Sequence, residues 1–194
     1  MRRIAVTALV LSLSSVGVGD LLAQRSGFIV GFGIGVGLTS IDRYSTPSPS
    51  PYSGPTTSAG YTQGAFATDF KIGAQVNPSV QIYYLFRSNW FSPESSTDLI
   101  VAGISALGVT YLPSPKVQLS GGLGLYQWTE LHLSPGGCCV EFYSASRTLR
   151  SFGLTGGVGY EFTDHWLLDV AVTYGQPGDV SVWGMRAGIS VLSH

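Results

Sequence analysis

A two-residue alternation of apolar with small or polar side chains runs through residues 151–174 and constrains the fold more than any other feature. Because successive side chains of a β-strand point to opposite faces, this period predicts two strands. The short segment Thr163–His165 between them predicts a hairpin turn. The apolar positions are Phe152, Leu154, Gly156, Val158, Tyr160 and Phe162 before the turn, and Trp166, Leu168, Val170, Val172 and Tyr174 after it.

The two faces of this predicted hairpin differ in a way that favours lipid on the apolar side. The apolar face ends in aromatic residues, whereas the other face holds glycine, threonine and single charges such as Glu161 and Asp169. Only 11% of all residues are charged, against about 25% in soluble domains. No uninterrupted apolar run of about 18 residues follows residue 23, which disfavours a membrane-spanning helix. A transmembrane barrel is predicted, with a secreted soluble β-sandwich as the alternative.

The first residues have the pattern of a targeting segment. A basic pair, Arg2 and Arg3, precedes the apolar and small-residue stretch Ile4–Val18, and a cleavage site can follow Ala23. Residues 1–23 are therefore predicted to be a signal peptide, and residues 24–194 to form one outer-membrane β-barrel domain.

Alternation recurs along the rest of the chain and predicts eight strands in total. They are Gly27–Ile41, Tyr61–Asn77, Val80–Phe91, Asp98–Leu112, Lys116–Leu131, Ser151–Phe162, Trp166–Tyr174 and Val180–Leu192. The connections after the second, fourth and sixth strands are short, and those after the first, third and fifth are long. An even strand number with this loop asymmetry indicates an all-β, eight-stranded antiparallel up-and-down transmembrane β-barrel with both termini in the periplasm. Leu99–Ile104 is apolar on both faces, which predicts either a bulge or a buried inner face.

Two long segments are predicted to be external loops. Residues 42–60 carry the run S-T-P-S-P-S-P-Y-S-G-P, and proline lacks the donor that a ladder needs. Residues 132–143 carry P-G-G-C-C, with Cys138 and Cys139 adjacent. In an exported loop these cysteines could form a strained vicinal disulfide or an intermolecular pair, or remain two thiols, and the sequence leaves these alternatives open. The spacing around them matches no zinc pattern, so no metal site is expected.

Charged residues at inward positions are the main candidate site. Asp69 and Arg87 are equidistant from the Asn77–Ser79 turn, so a hairpin there would pair them. Asp169 and Arg186 are placed similarly around Pro177 and Gly178. A charge inside a barrel is tolerated when it is paired and hydrogen-bonded, so a structural polar network is predicted, with an ion path as the alternative. Its predicted members are Asp69, Lys71, Arg87, Glu161, Asp169 and Arg186.

Glycine–aromatic alternation at Gly108–Tyr111 (G-V-T-Y), Gly156–Phe162 (G-G-V-G-Y-E-F) and Arg186–Val191 (R-A-G-I-S-V) resembles the small eight-stranded outer-membrane β-barrel family, which includes the opacity-type surface proteins. The resemblance implies an outer-membrane location, contact with outer-membrane lipid and insertion by the barrel assembly machinery. It carries no active-site signature and implies no cofactor. Members commonly finish on an aromatic residue, whereas this chain finishes on His194, which departs from the usual insertion signal.

The expected function is structural, or contact with an extracellular ligand through the loops 42–60 and 132–143 of a monomer. No catalytic residue, cofactor or metal is predicted. A net charge of −1 provides no electrostatic attraction for nucleic acid. A narrow channel or small-solute binder is one alternative.

A lipid hydrolase is another alternative. His132-Leu133-Ser134 followed by Glu141 is similar to the His-x-Ser-Asn element and downstream Glu of lipid A deacylases, although Pro135 replaces the Asn.

Overall fold

The computed structural model describes residues 27–46, 56–93, 98–134 and 142–193. They form eight antiparallel strands, in which each strand pairs with the next and β1 also pairs with β8, so the sheet closes. The strands are β1 (Phe28–Thr46), β2 (Thr56–Asn77), β3 (Val80–Phe91), β4 (Leu99–Ser114), β5 (Val117–Ser134), β6 (Phe142–Glu161), β7 (Trp166–Gly175) and β8 (Val182–Ser193). The predicted eight-stranded up-and-down barrel is confirmed.

A belt of exposed apolar side chains surrounds the barrel. Side chains alternate between this belt and the interior, most regularly in β8, where the alternation between buried and exposed residues is unbroken. Val36 and Leu107 are each 71% exposed, although both are large and apolar. Such a surface suits hydrocarbon rather than water. The described residues contain no helix of the length and apolarity needed to cross a membrane.

The strand β4 pairs with β5 without a bulge in its apolar part. The β4–β5 register runs without a shift from Leu99 to Tyr111. Ile100, Ala102 and Ile104 are buried on the inner face. Of the two alternatives that the sequence leaves open, the buried inner face is therefore the one that forms.

The barrel has two different ends. At one end, which we call the short-turn end, the strands are joined by the turns 78–79, 115–116 and 162–165. At the other, the long-hairpin end, β1–β2 and β5–β6 extend well past the neighbouring strands. The carbonyl of His165 accepts a hydrogen bond from the Leu192 N–H at 2.8 Å, which ties the end of β8 to the short-turn end.

The prediction that residues 42–60 and 132–143 are entirely loop was wrong, because residues at both ends of each segment belong to strands. Strand pairing continues to Thr46↔Thr56 and to Ser134↔Phe142. The prolines of the first segment all lie within 47–55, so the serine- and threonine-rich residues on either side keep their backbone donors and remain in the ladder. Residues 47–55, the pair Cys138–Cys139 and the predicted signal segment 1–23 lie outside the described residues.

The seam between β1 and β8 depends on glycine. Gly35 faces Gly188 directly across the two strands. A Cβ added to Gly35 would lie 2.2 Å from the carbonyl oxygen of Ala187, which is backbone and cannot move aside. By contrast, the lipid-facing Gly156 has no atom of another strand closer than 3.7 Å to such a Cβ.

We therefore predict that Gly35→Ala lowers the free energy of unfolding by about 1–3 kcal/mol, because the strands at the closing seam must separate. Gly156→Ala is the matched control and should leave stability unchanged or raise it by up to about 1 kcal/mol, because glycine is the weaker strand former. Urea unfolding in detergent, followed by tryptophan fluorescence, measures both. Equal effects of the two substitutions would show that the seam tolerates a side chain.

Candidate functional site

Four charged side chains meet inside the barrel and form what we call the charged cluster: Asp69 of β2, Arg87 of β3, Asp169 of β7 and Arg186 of β8. Arg87 Nε lies 2.8 Å and Arg186 Nη1 lies 2.9 Å from the same Asp69 oxygen, Oδ2. Arg186 Nη2 lies 3.1 Å from Asp169 Oδ1, and Arg87 Nη2 lies 3.9 Å from Asp169 Oδ2. All four residues are buried. Each arginine thus contacts both carboxylates, and the formal charges of the cluster cancel.

The register of the strands places these groups. Asp69 and Arg87 are directly opposite in the β2–β3 ladder, as the symmetry of the 77–79 turn indicates. Asp169, however, faces Gly188, while Arg186 faces Ala171. The pairing is therefore diagonal, shifted by two residues from the expected position, because the six-residue connection 176–181 is centred beyond Gly178.

A glycine makes this diagonal contact sterically feasible. A Cβ on Gly188 would lie 2.8 Å from Arg186 Nη2. The absence of a side chain opposite Asp169 therefore leaves the space through which the Arg186 guanidinium reaches the carboxylate.

Hydroxyl groups link the charged cluster to the remaining wall of the barrel. Arg87 Nη1 donates to Thr155 Oγ1 at 2.9 Å, and that hydroxyl donates to the Val172 carbonyl at 3.0 Å. Ser190 Oγ donates to Asp169 Oδ1 at 3.2 Å. A buried ion pair needs such additional hydrogen bonds to offset the loss of hydration.

Lys71 and Glu161, the other two predicted members of the network, lie outside the four-residue cluster. Lys71 Nζ donates to Gln81 Oε1 at 3.2 Å and to Thr110 Oγ1 at 3.4 Å. It also lies 4.2 Å from the centre of the Tyr83 ring, a cation–π distance. Glu161 is buried at the short-turn end of β6. Four of the six predicted residues therefore form one cluster, and Lys71 has neutral partners instead.

The space left beside the charged cluster is small. A cavity of about 30 Å³ is bounded by Asp69, Lys71 and Asp169, with Gln118 and Ser120 on the β5 side. This volume holds one or two water molecules. Side chains therefore fill this part of the barrel, as expected for a barrel of eight strands.

A second interior layer, toward the long-hairpin end, is apolar; we call it the apolar layer. Phe91 packs edge-on against Trp128 with ring centres 5.8 Å apart, and Trp128 is almost completely buried. Sequence reasoning missed this layer as a unit; the apolar residues on both faces of 99–104 were the one signal for it. Its members are Ile41, Phe91, Ile100, Ala102, Ile104, Ala106, Tyr126, Trp128 and Val182.

The residues considered for lipid hydrolysis do not form a described site. His132 and Ser134 belong to β5 and pair with Ser144 and Phe142, whereas the sequence had placed them in a loop. Glu141 lies outside the described residues. Within the described part of the chain, no group of three or more histidine, cysteine, aspartate or glutamate residues could hold a metal ion.

We predict that Asp69→Asn lowers the free energy of unfolding by about 3–5 kcal/mol, because two buried arginines lose the carboxylate that they share. Arg147→Ala is the control: its guanidinium lies 3.9 Å from Glu130 Oε1 and its side chain is 39% exposed. Loss of such a pair should cost about 1 kcal/mol or less. Urea unfolding measures both, and equal losses would contradict a stabilising role for the charged cluster.

Three solved structures of bacterial proteins have a similar fold. Ail, the attachment invasion locus protein of Yersinia pestis, in complex with the heparin analogue sucrose octasulfate, is 15% identical, with a TM-score of 0.60 over 86% of this chain and 99% of that chain. Neisserial surface protein A is 16% identical, with a TM-score of 0.55 over 87% and 99% of the two chains. OprG from Pseudomonas aeruginosa is 13% identical, with a TM-score of 0.51 over 90% and 100%.

Comparison by sequence identifies a family, although no curated protein matches the chain. The family described as "Outer membrane protein beta-barrel domain" matches residues 6–191, which is nearly the whole chain. The closed eight-stranded barrel and its apolar belt agree with that match. The chain belongs to the outer membrane protein β-barrel domain family and is an outer-membrane protein.

Proposed function

We propose that this barrel is a rigid, closed scaffold that presents the β1–β2 and β5–β6 hairpins at the cell surface for contact with an extracellular partner. The observation that carries the proposal is a contrast between the two parts of the molecule. The interior is filled by side chains, whereas two pairs of strands continue past the barrel at one end. Function in proteins with rigid scaffolds is concentrated in such projecting segments.

A closed interior argues against transport. The charged cluster joins β2–β3 to β7–β8 across the barrel, and the apolar layer lies above it. An ion that crossed would have to separate buried ion pairs and then lose its hydration among apolar side chains, and both steps are costly. The proposed role therefore does not include conduction.

The proposed orientation places the long-hairpin end outside the cell and the short-turn end in the periplasm. Outer-membrane barrels have short periplasmic turns and longer extracellular loops. The predicted signal peptide 1–23 would direct the chain to export, and the barrel assembly machinery would insert a monomer whose apolar belt contacts outer-membrane lipid. Among the proteins of similar fold, one is an attachment invasion protein crystallised with a heparin analogue and another is a surface protein. These descriptions agree with a role in surface contact.

The orientation is testable with single cysteines in a variant whose Cys138 and Cys139 are serine. Thr148, at the long-hairpin end, and Asp164, at the short-turn end, are both exposed. We expect a membrane-impermeant maleimide to label Thr148→Cys on intact cells and to label Asp164→Cys only after the outer membrane is permeabilised. Labelling of Asp164→Cys alone on intact cells would reverse the orientation.

The closed interior predicts no stable conductance steps when the purified protein is inserted into planar lipid bilayers. Asp69→Asn, which weakens the charged cluster, should remain non-conducting because the apolar layer is intact. Steady conductance of the unaltered protein that disappears in Arg87→Ala or Arg186→Ala would instead support an ion path through the barrel.

A further inference from the structure

We propose that the free edge of β6 around Thr148–Arg150 binds an extended acidic peptide segment of a partner protein, which adds to the sheet as another strand. This inference rests on the proposed function, because the edge must face the outside of the cell. It specifies both the surface that makes the contact and the chemistry of the partner.

The edge exists because β6 is much longer than its neighbour β7. β6 has 20 residues and β7 has 10. Their ladder ends at Gly153↔Gly175, whereas β6 continues to Phe142 with β5 alone as its partner. Among the described residues, no strand pairs with the other side of this extension.

The direction of the free backbone groups follows from the hydrogen bonds at the opposite end of β6. Phe162 N–H donates to the Trp166 carbonyl, and Glu161 N–H donates to the Lys116 carbonyl. Even-numbered residues of β6 therefore direct their N–H and C=O toward β7, and odd-numbered residues direct theirs toward β5. The β5–β6 register has no shift between Tyr160 and Arg147, so the same alternation reaches Thr148 and Arg150. Their backbone donors and acceptors face the side without a strand.

The edge is accessible. Thr148 and Arg150 are both exposed. The connection between β7 and β8 touches β6 at Ser151, whose Oγ accepts a hydrogen bond from the Gln176 N–H at 3.0 Å. The connection also approaches Leu149, whose Cδ1 lies 3.7 Å from the position of a Cβ on Gly178, but it adds no ladder beside Thr148 or Arg150. An unpaired strand edge of this kind is a template for β-augmentation.

Charge identifies the occupant as acidic. The extension 142–152 contains Arg147 and Arg150 and no acidic residue. An odd and an even position lie on opposite faces of a strand. On one face Arg147 is already paired with Glu130 of β5, so the charge offered to an added strand comes from Arg150 on the other face. Cross-strand pairs of opposite charge stabilise a sheet, whereas like charges destabilise it. A second copy of this edge would place arginine near arginine and is therefore disfavoured. The comparable extension of β2, 56–65, has no charged residue.

The probe is a fluorescent peptide of about ten residues, a usual strand length. It is composed of threonine and glutamate, with glutamate at positions on both faces of the strand. The control peptide has lysine in place of each glutamate. Fluorescence anisotropy is measured with the folded full-length protein in a neutral detergent. We expect saturable binding of the glutamate peptide and no binding of the lysine peptide. When the glutamate peptide carries isotope-labelled carbonyl groups, its shifted amide infrared band should show that it binds as a β-strand.

Thr148→Pro removes the edge donor while leaving the bonds to β5, and we expect it to weaken binding by about tenfold or more. Thr148→Val retains the donor and should bind within about twofold of the unaltered protein. Arg150→Glu should weaken binding by about tenfold or more through charge reversal. A heat-dependent shift in electrophoretic mobility verifies that each variant is folded.

Three outcomes would overturn the inference: equal binding of the lysine peptide, unchanged binding to Thr148→Pro, or binding that requires Arg150 but is directed to phosphatidylglycerol vesicles rather than to the peptide. The last outcome would make the arginines a lipid-headgroup contact. In all three cases the cysteine labelling and the conductance measurements remain independent tests of the closed, surface-exposed scaffold.

Discussion

Saturation of backbone hydrogen bonds in a hydrocarbon environment is the constraint on which this structure depends. In a bilayer an unpaired N–H or C=O has no water to bind, so a sheet that crosses must close on itself. Here closure is made by β1 and β8, with glycines Gly35 and Gly188 in direct opposition. The requirement applies only at the depth of the lipid. Beyond it a strand edge can remain unpaired in water, and the proposed orientation places the β6 edge near Arg150 there.

The interior is subject to a second constraint, because a narrow barrel must be filled without leaving a charge unpaired. Two layers of side chains, one charged and one apolar, fill it at different levels along the barrel axis. The charged cluster pairs two carboxylates with two guanidinium groups drawn from opposite walls. The apolar layer, which includes Ile104 and Trp128, resembles the core of a soluble protein. Together they fill the barrel, and in the function that we propose the projecting hairpins make the contacts with a partner.

Much of the candidate site was predictable where the interactions are local. Asp69 and Arg87 were predicted to pair because the tight 77–79 turn relates them by simple symmetry, and they lie directly opposite. The same reasoning placed Asp169 opposite Arg186, where the structure has a diagonal contact, because a longer connection does not define its own centre. Lys71 was predicted to belong to the interior polar network, and its contacts there are Gln81, Thr110 and the Tyr83 ring. Gln81 and Tyr83 lie in β3, nearer to the 77–79 turn than Leu85, which is directly opposite Lys71. The direction in which the long lysine side chain extends depends on its rotamer, which no sequence pattern shows.

The sequence by itself determined the number of strands, the face of each strand that meets lipid, and the asymmetry between the two ends. These properties follow from a two-residue period and from the positions of turn residues, which are local. Only the tertiary structure decided which inward residues meet across the barrel, how far β5 and β6 continue past it, and that an apolar layer lies over the charged cluster. The physical reason is the stagger of strands on closure, which brings residues from distant strands to one level and is not encoded in any single segment.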